Sequence, residues 1–213
     1  SLARAPSMLA HLLNAAAQAD RPYREALFLT FNIDVGFFET RLLGMCRAAG
    51  AAVTVAADAH VFAFDPRSAR AAGQSYALGL AAVPGAFHPK LSILAGPDHA
   101  LIKIGSGNIT VNGWHRSDEI AFLIDADNAS CPVLVNDIAD WLAELPSVVR
   151  LGATASHGIR RTVAELRHLT ERSNLTQTGH TLVSSTRGPI LKQLPVEKVR
   201  RLKLYAPFHD ADG

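Results

Sequence analysis

EALFLTFNIDVGFFETRLLGMCRAAGAAVTVAA, residues 25–57, opens on a short apolar run with aromatics, passes through helical spacing and closes on a second apolar run. The first run, Glu25 to Ile33, is rich in aromatics and reads as a buried strand. Val35 to Ala49 returns to helical spacing, with Asp34 placed to cap its start and Gly50 to stop it. Ala51 to Ala57 is a second strand. Strand, helix and strand at this spacing form a βαβ unit, which favours a parallel pair joined by a right-handed crossover. The fold class that follows is α/β, a mixed sheet with helices on both faces.

Working outward, Met8, Leu9, Leu12, Leu13 and Ala16 mark an amphipathic helix from Pro6 to Asp20. Beyond a connector near Asp65 to Gly73, strands are expected at Tyr76–Ala82, His88–Leu94, Ala100–Gly105 and Glu119–Ile124. Gly96-Pro97-Asp98 forms the turn between the second and third of these. Pro132–Leu145 and Gly158–Arg172 read as helices. His180–Ser184 reads as a strand, Pro189–Leu194 as a helix and Arg201–Ala206 as a strand. The closing LKLYAPFHDADG, residues 202–213, resembles LFLTFNIDVGFF, residues 27–38, which suggests a faint internal duplication.

Composition narrows the class. The chain has 213 residues, 48% hydrophobic and 19% charged, enough for one large domain or two small ones. No stretch approaches the ~20 continuous apolar residues of a membrane span, and the opening residues lack the pattern of a signal peptide. A cytoplasmic, bacterial protein is expected. Cys46 and Cys131 are isolated and read as small buried residues of a reducing compartment. Residues 1–150 carry a net charge of −3 and residues 151–213 one of +5. The basic segment is a solvated helix face or an electrostatic footprint for nucleic acid.

The chemistry lies in FHPKLSILAGPDHALIKIGSGNITVNGWHRSDEIAFLID, residues 87–125. His88 and Lys90, two apart on an extended run, project from one face, with Leu91 and Ile93 facing core. After the hairpin the return strand ends in Gly105-Ser106-Gly107-Asn108, where the glycines let the backbone bend and bring Asn108 beside the pair. An imidazole, an ammonium and a carboxamide then converge. A phosphodiester needs cationic and hydrogen-bonding donors for its non-bridging oxygens, which Lys90 and Asn108 supply. A neutral histidine can attack phosphorus without adding negative charge. No metal or other cofactor is required, and His88, His99 and His115 lack metal-ligand spacing.

These residues resemble the phospholipase D superfamily, whose signature is H-x-K followed by G-S-x-N. The match is His88-Pro89-Lys90 with Gly105-Ser106-Gly107-Asn108. The wider pattern looks most like the tyrosyl-DNA phosphodiesterase branch and related bacterial endonucleases: Trp114-His115 follows, and Glu119 lies 11 residues after Asn108. The superfamily's aspartate falls on Ala95, a loss that the DNA-phosphodiesterase branch shares. The resemblance implies hydrolysis of nucleic-acid phosphodiesters through a phosphohistidine, on DNA before RNA and with no membrane partner. His88 would be nucleophile, Lys90 and Asn108 phosphate clamps, Ser106 a supporting hydroxyl and Glu119 the orienter of an imidazole. Trp114 and His115 would contact substrate or else pack in the core. Alternatives are a lipid phosphodiesterase of the phospholipase D type and a non-catalytic phosphate-binding half-site.

Such a site needs two motifs, and no second H-x-K follows residue 90. Residues 1–150 are therefore expected to form one phospholipase D-like half, and 151–213 a helical link and the opening of a second, truncated half. The missing half would come from a longer chain or from a homodimer partner.

Overall fold

The structure is a computed structural model that describes Asn14 and residues 22–61, 69–116 and 119–194, without the side chains of His115 and Arg116. The expected helix at Pro6–Asp20, apart from Asn14, and the strand at Arg201–Ala206 lie outside the described residues.

The βαβ unit forms as its sequence dictates. Strand β1 (Glu25–Thr30) is buried along its whole length. Asp34 then caps a helix, accepting the Phe37 N–H at 2.9 Å. That helix, α1, runs through Val35–Phe37, a π-helical stretch at Phe38–Leu42 and Leu43–Ala48. Gly50, at φ +89°, makes the reversal into β2 (Ala52–Asp58). A side chain there would be strained in any case, because this region suits only glycine.

β2 pairs parallel to β1 and to β3 (Ala77–Ala81). On its other side β1 meets β4 (Lys90–Ala95) antiparallel, and β5 (His99–Gly105) and β6 (Ala121–Asp127) continue as antiparallel neighbours. The six-stranded order is β3-β2-β1-β4-β5-β6. The ends of β1, β2, β3 and β5 and the starts of β4 and β6 therefore share one edge of the sheet.

Both faces are covered. Ala26, Phe28, Val53, Val55, Leu94 and Leu101 form one core with Phe37, Phe38, Leu42 and Cys46 of α1. On the opposite face lie α2 (Val133–Val148) and α3 (Ala153–Arg172), which pack against each other and bury Ile138, Leu142, Ile159, Val163 and Leu166. α3 begins at Ala153, five residues before the expected Gly158, and lies against β1, β2 and β3. Gly158 sits inside it because a Cβ there would collide with the Thr54 side chain of β2. Glycine here sets how closely helix and sheet approach.

A two-stranded parallel ribbon, β7 (Cys131–Pro132) with β8 (Leu175–Thr176), completes a compact unit ending at Thr178. The helix assigned by sequence to a link after residue 150 thus packs on this sheet. Residues Gly179–Gly213 form a second unit. In its described part the expected strand at His180–Ser184 is not formed. Ser185–Arg187 is instead a 3₁₀ turn and Ile190–Gln193 a helical turn, joined where Gln193 Nε2 donates to the Ser184 carbonyl at 2.9 Å. Serine and threonine side chains compete for the backbone here: Ser184 Oγ accepts the Thr186 N–H at 3.2 Å. Among the described residues no helix is long and apolar enough to cross a membrane.

Candidate active site

His88 stands just outside the sheet, because Pro89 has no N–H to extend the ladder and β4 starts at Lys90. Its ring packs on Phe31, just past the end of β1, with centroids 4.3 Å apart. Lys90 lies opposite Thr30 in the β1–β4 register. Its Nζ is 2.8 Å from His88 Nδ1 and 3.1 Å from Nε2, and 5.4 Å from the Phe31 centroid. An ammonium can donate only to an unprotonated ring nitrogen, so this contact goes with a neutral imidazole. Partial burial, and then the Lys90 charge, hold the His88 pKa below its ordinary 6.5, with Asp58 acting the other way. Burial likewise lowers the Lys90 pKa, opposed by the negative charge of Glu119.

Asn108 reaches the same end of the sheet from the loop after β5. Its Oδ1 accepts the Asn32 N–H at 3.2 Å and faces Thr30 Oγ1 at 3.5 Å. The Asp34 N–H donates to the Ile109 carbonyl at 2.9 Å, which ties the two loops together. With its oxygen committed to the Asn32 N–H, the carboxamide still has two N–H donors to place. Gly107 permits the bend, since a Cβ there would strike the Gly113 carbonyl oxygen of the π-helical turn Asn112–Arg116.

Ser106 and Glu119 form their own pair at the mouth of the β5–β6 hairpin. The Ser106 hydroxyl donates to the Glu119 carboxylate in a short hydrogen bond and accepts the Ile120 N–H at 3.0 Å. Glu119 makes no described contact with His88; its charge instead favours the protonated forms of Lys90 and Lys103. The Trp114 ring is buried, edge-on to Phe37 at 6.4 Å, and so packs in the core. The His115 side chain lies outside the described residues.

Three contributors escaped the sequence reading. Phe31 and Asn32 hold His88 and Asn108 in place. Lys103 sits with its Nζ 4.9 Å from the Trp114 centroid, a cation–π contact. Burial lowers the Lys103 pKa, opposed by Glu119. The only signal for Lys103 was a lysine in an otherwise apolar strand, ALIKIG, two residues before Gly105. Among the described residues no group of three or more His, Cys, Asp or Glu side chains could hold a metal ion.

No protein-family model matches the chain, and no curated protein matches its sequence. Among solved structures it is similar to NucT from Helicobacter pylori, at 10% sequence identity and a TM-score of 0.41, over 77% of this chain and 87% of that one.

Proposed function

We propose that this chain supplies one half of a phospholipase D-type active site that hydrolyses nucleic-acid phosphodiesters. One observation carries the reading: the Lys90 ammonium touches the ring nitrogens of His88 at the sheet end to which Asn108 is also tied through Asn32. A neutral imidazole with an adjacent cation is what attack on an anionic phosphorus needs.

In this scheme a ring nitrogen of His88 attacks phosphorus and the P–O bond to the leaving oxygen breaks. A second imidazole, from the matching half-site, protonates that oxygen. The same imidazole then takes a proton from water, whose oxygen attacks phosphorus and releases His88. Lys90 and the Asn108 NH₂ hold the non-bridging oxygens throughout. Lys103 adds a further positive charge beyond Glu119, and the +5 charge of residues 151–213 suits a polyanion better than a neutral lipid surface.

The test is cleavage of labelled single- and double-stranded DNA by the full-length protein in EDTA, with phosphatidylcholine vesicles as a parallel substrate. DNA cleavage that disappears in His88→Ala supports the reading. Cleavage of the lipid alone would favour the lipase alternative, and phosphate-ester binding without turnover the non-catalytic one.

A further inference from the structure

We infer that Asp58 is a positioning residue for His88, anchoring the backbone of the segment that carries it. Asp58 closes β2, at the same sheet edge as Thr30 and Lys90, and its side chain is fully buried. One carboxylate oxygen accepts the N–H groups of His60 and Val61, at 2.7 and 3.1 Å, and so shapes the turn that leaves the strand. The other accepts the Phe87 N–H at 2.6 Å, across 29 residues of sequence.

That last bond matters because of what flanks it. Residues 83–89 lie outside the strands, and Pro84 and Pro89 bring no N–H of their own. The β-ladder that fixes Lys90 cannot reach back to His88. The segment is held by the Asp58–Phe87 bond, by the buried Phe87 ring and by the contact of His88 with Phe31. A carboxylate suits this place better than a carboxamide. Both of its oxygens accept, whereas an asparagine would turn an NH₂ toward one of the donors.

Burial alone would raise the Asp58 pKa, yet the N–H groups of Phe87, His60 and Val61 and the charge of His60 hold it below the ordinary 3.8. Asp58 is therefore anionic at neutral pH. Its charge favours the imidazolium of His88 against burial and Lys90, which favour the neutral ring; Glu119 faces Lys90 rather than His88. His60, 3.4 Å from Asp58, is the other titratable group beside it.

This inference rests on His88 being the nucleophile, so the experiment has an arm that does not need turnover. In Asp58→Asn the His88 ring resonance, identified by its loss in His88→Gln, should titrate at lower pH than in the wild type. The Phe87 amide should also lose its protection from hydrogen exchange. In the catalytic arm kcat should fall by roughly 10- to 100-fold, as for a nucleophile displaced by a fraction of an ångström. KM should stay within about threefold, because Lys90 and Asn108 are untouched.

A Phe87 amide that stays protected in Asp58→Asn, or a loss confined to KM, overturns the proposal. If the wild type cleaves no phosphodiester, the functional reading fails and the exchange of the Phe87 amide in Asp58→Asn decides the anchoring role alone. If Asp58→Asn does not fold, the wild-type protein still decides: the Phe87 amide must exchange markedly more slowly than the His88 amide, and equal rates overturn the anchor.

Discussion

The two ends of β1 handle charge in opposite ways. At its start, the buried Glu25 carboxylate receives a two-pronged grip from Arg161 of α3, Nε to Oε1 at 2.6 Å and Nη2 to Oε2 at 3.1 Å. At its finish, Thr30, Phe31 and Asn32 sit among His88, Lys90 and Asn108, and neither Lys90 nor Lys103 forms an ion pair among the described residues. The first arrangement satisfies each charge with its opposite and ties a helix across the sheet. The second sets a cation against an imidazole, with no carboxylate in an ion pair to it among the described residues, a pattern of perturbed groups that marks a candidate functional site.

Removing His88 should break the comparison most visibly. His88→Ala is expected to reduce phosphodiester turnover by on the order of 10⁴-fold or more, with only a small fall in the denaturation midpoint, because the residue is exposed and gives up one ring contact with Phe31. Loss of stability with activity retained would make this end structural after all.

Lys90→Met comes next, at roughly 10²–10³-fold in kcat/KM, the scale of removing one oxyanion donor. It also tests the electrostatics. Attack needs neutral His88, so the acid limb attributable to it lies below pH 6.5 in the wild type. Without the neighbouring cation that limb should move to higher pH, measurable in the pH–rate profile. A limb that stays put contradicts the coupling.

At the opposite end the effect should fall on stability. Arg161→Ala leaves the buried Glu25 without its counter-charge. It should cost about 1–3 kcal/mol by denaturant unfolding, discounted for the part-exposed Arg161. Turnover per folded molecule should not change. Burial raises the Glu25 pKa above 4.5, against the pull of Arg161. The penalty should therefore shrink as pH falls through that raised value, because a protonated Glu25 no longer needs the arginine. A penalty that grows in acid would contradict this. Smallest of all, Lys103→Met should weaken substrate binding by about three- to tenfold, seen in KM, since Lys103 is partly buried and its charge is partly balanced by that of Glu119.

Much of this was legible in residues 25–57 and 87–108, where local signals agree. The buried run at β1, the Asp34 cap, the Gly50 stop and the Gly96-Pro97-Asp98 turn each state their own geometry. The spacing of His88, Lys90 and GSGN was visible because one hairpin carries all three. What stayed hidden depends on contacts distant in sequence. Asp58, Phe31 and Asn32 act only once β1 and β2 end, and β4 starts, at the same edge. Trp114 could line a pocket or pack inward, and only its contact with Phe37 decides between them. Gly158 looked like a helix boundary because its reason, Thr54 of a neighbouring strand, lies over a hundred residues upstream. The two-residue β7–β8 ribbon is too short to leave any periodic trace.

Trapping the covalent intermediate decides whether His88 is a phosphodiester nucleophile. The full-length protein should be quenched within a single turnover of a substrate carrying ³²P at the scissile phosphate, in EDTA, and digested to locate the label. The expected species is an acid-labile, alkali-stable phosphoramidate on His88, still esterified to the retained nucleotide and absent from His88→Asn. Turnover that leaves no label on His88, or that disappears on chelation and returns with a divalent metal, would contradict it.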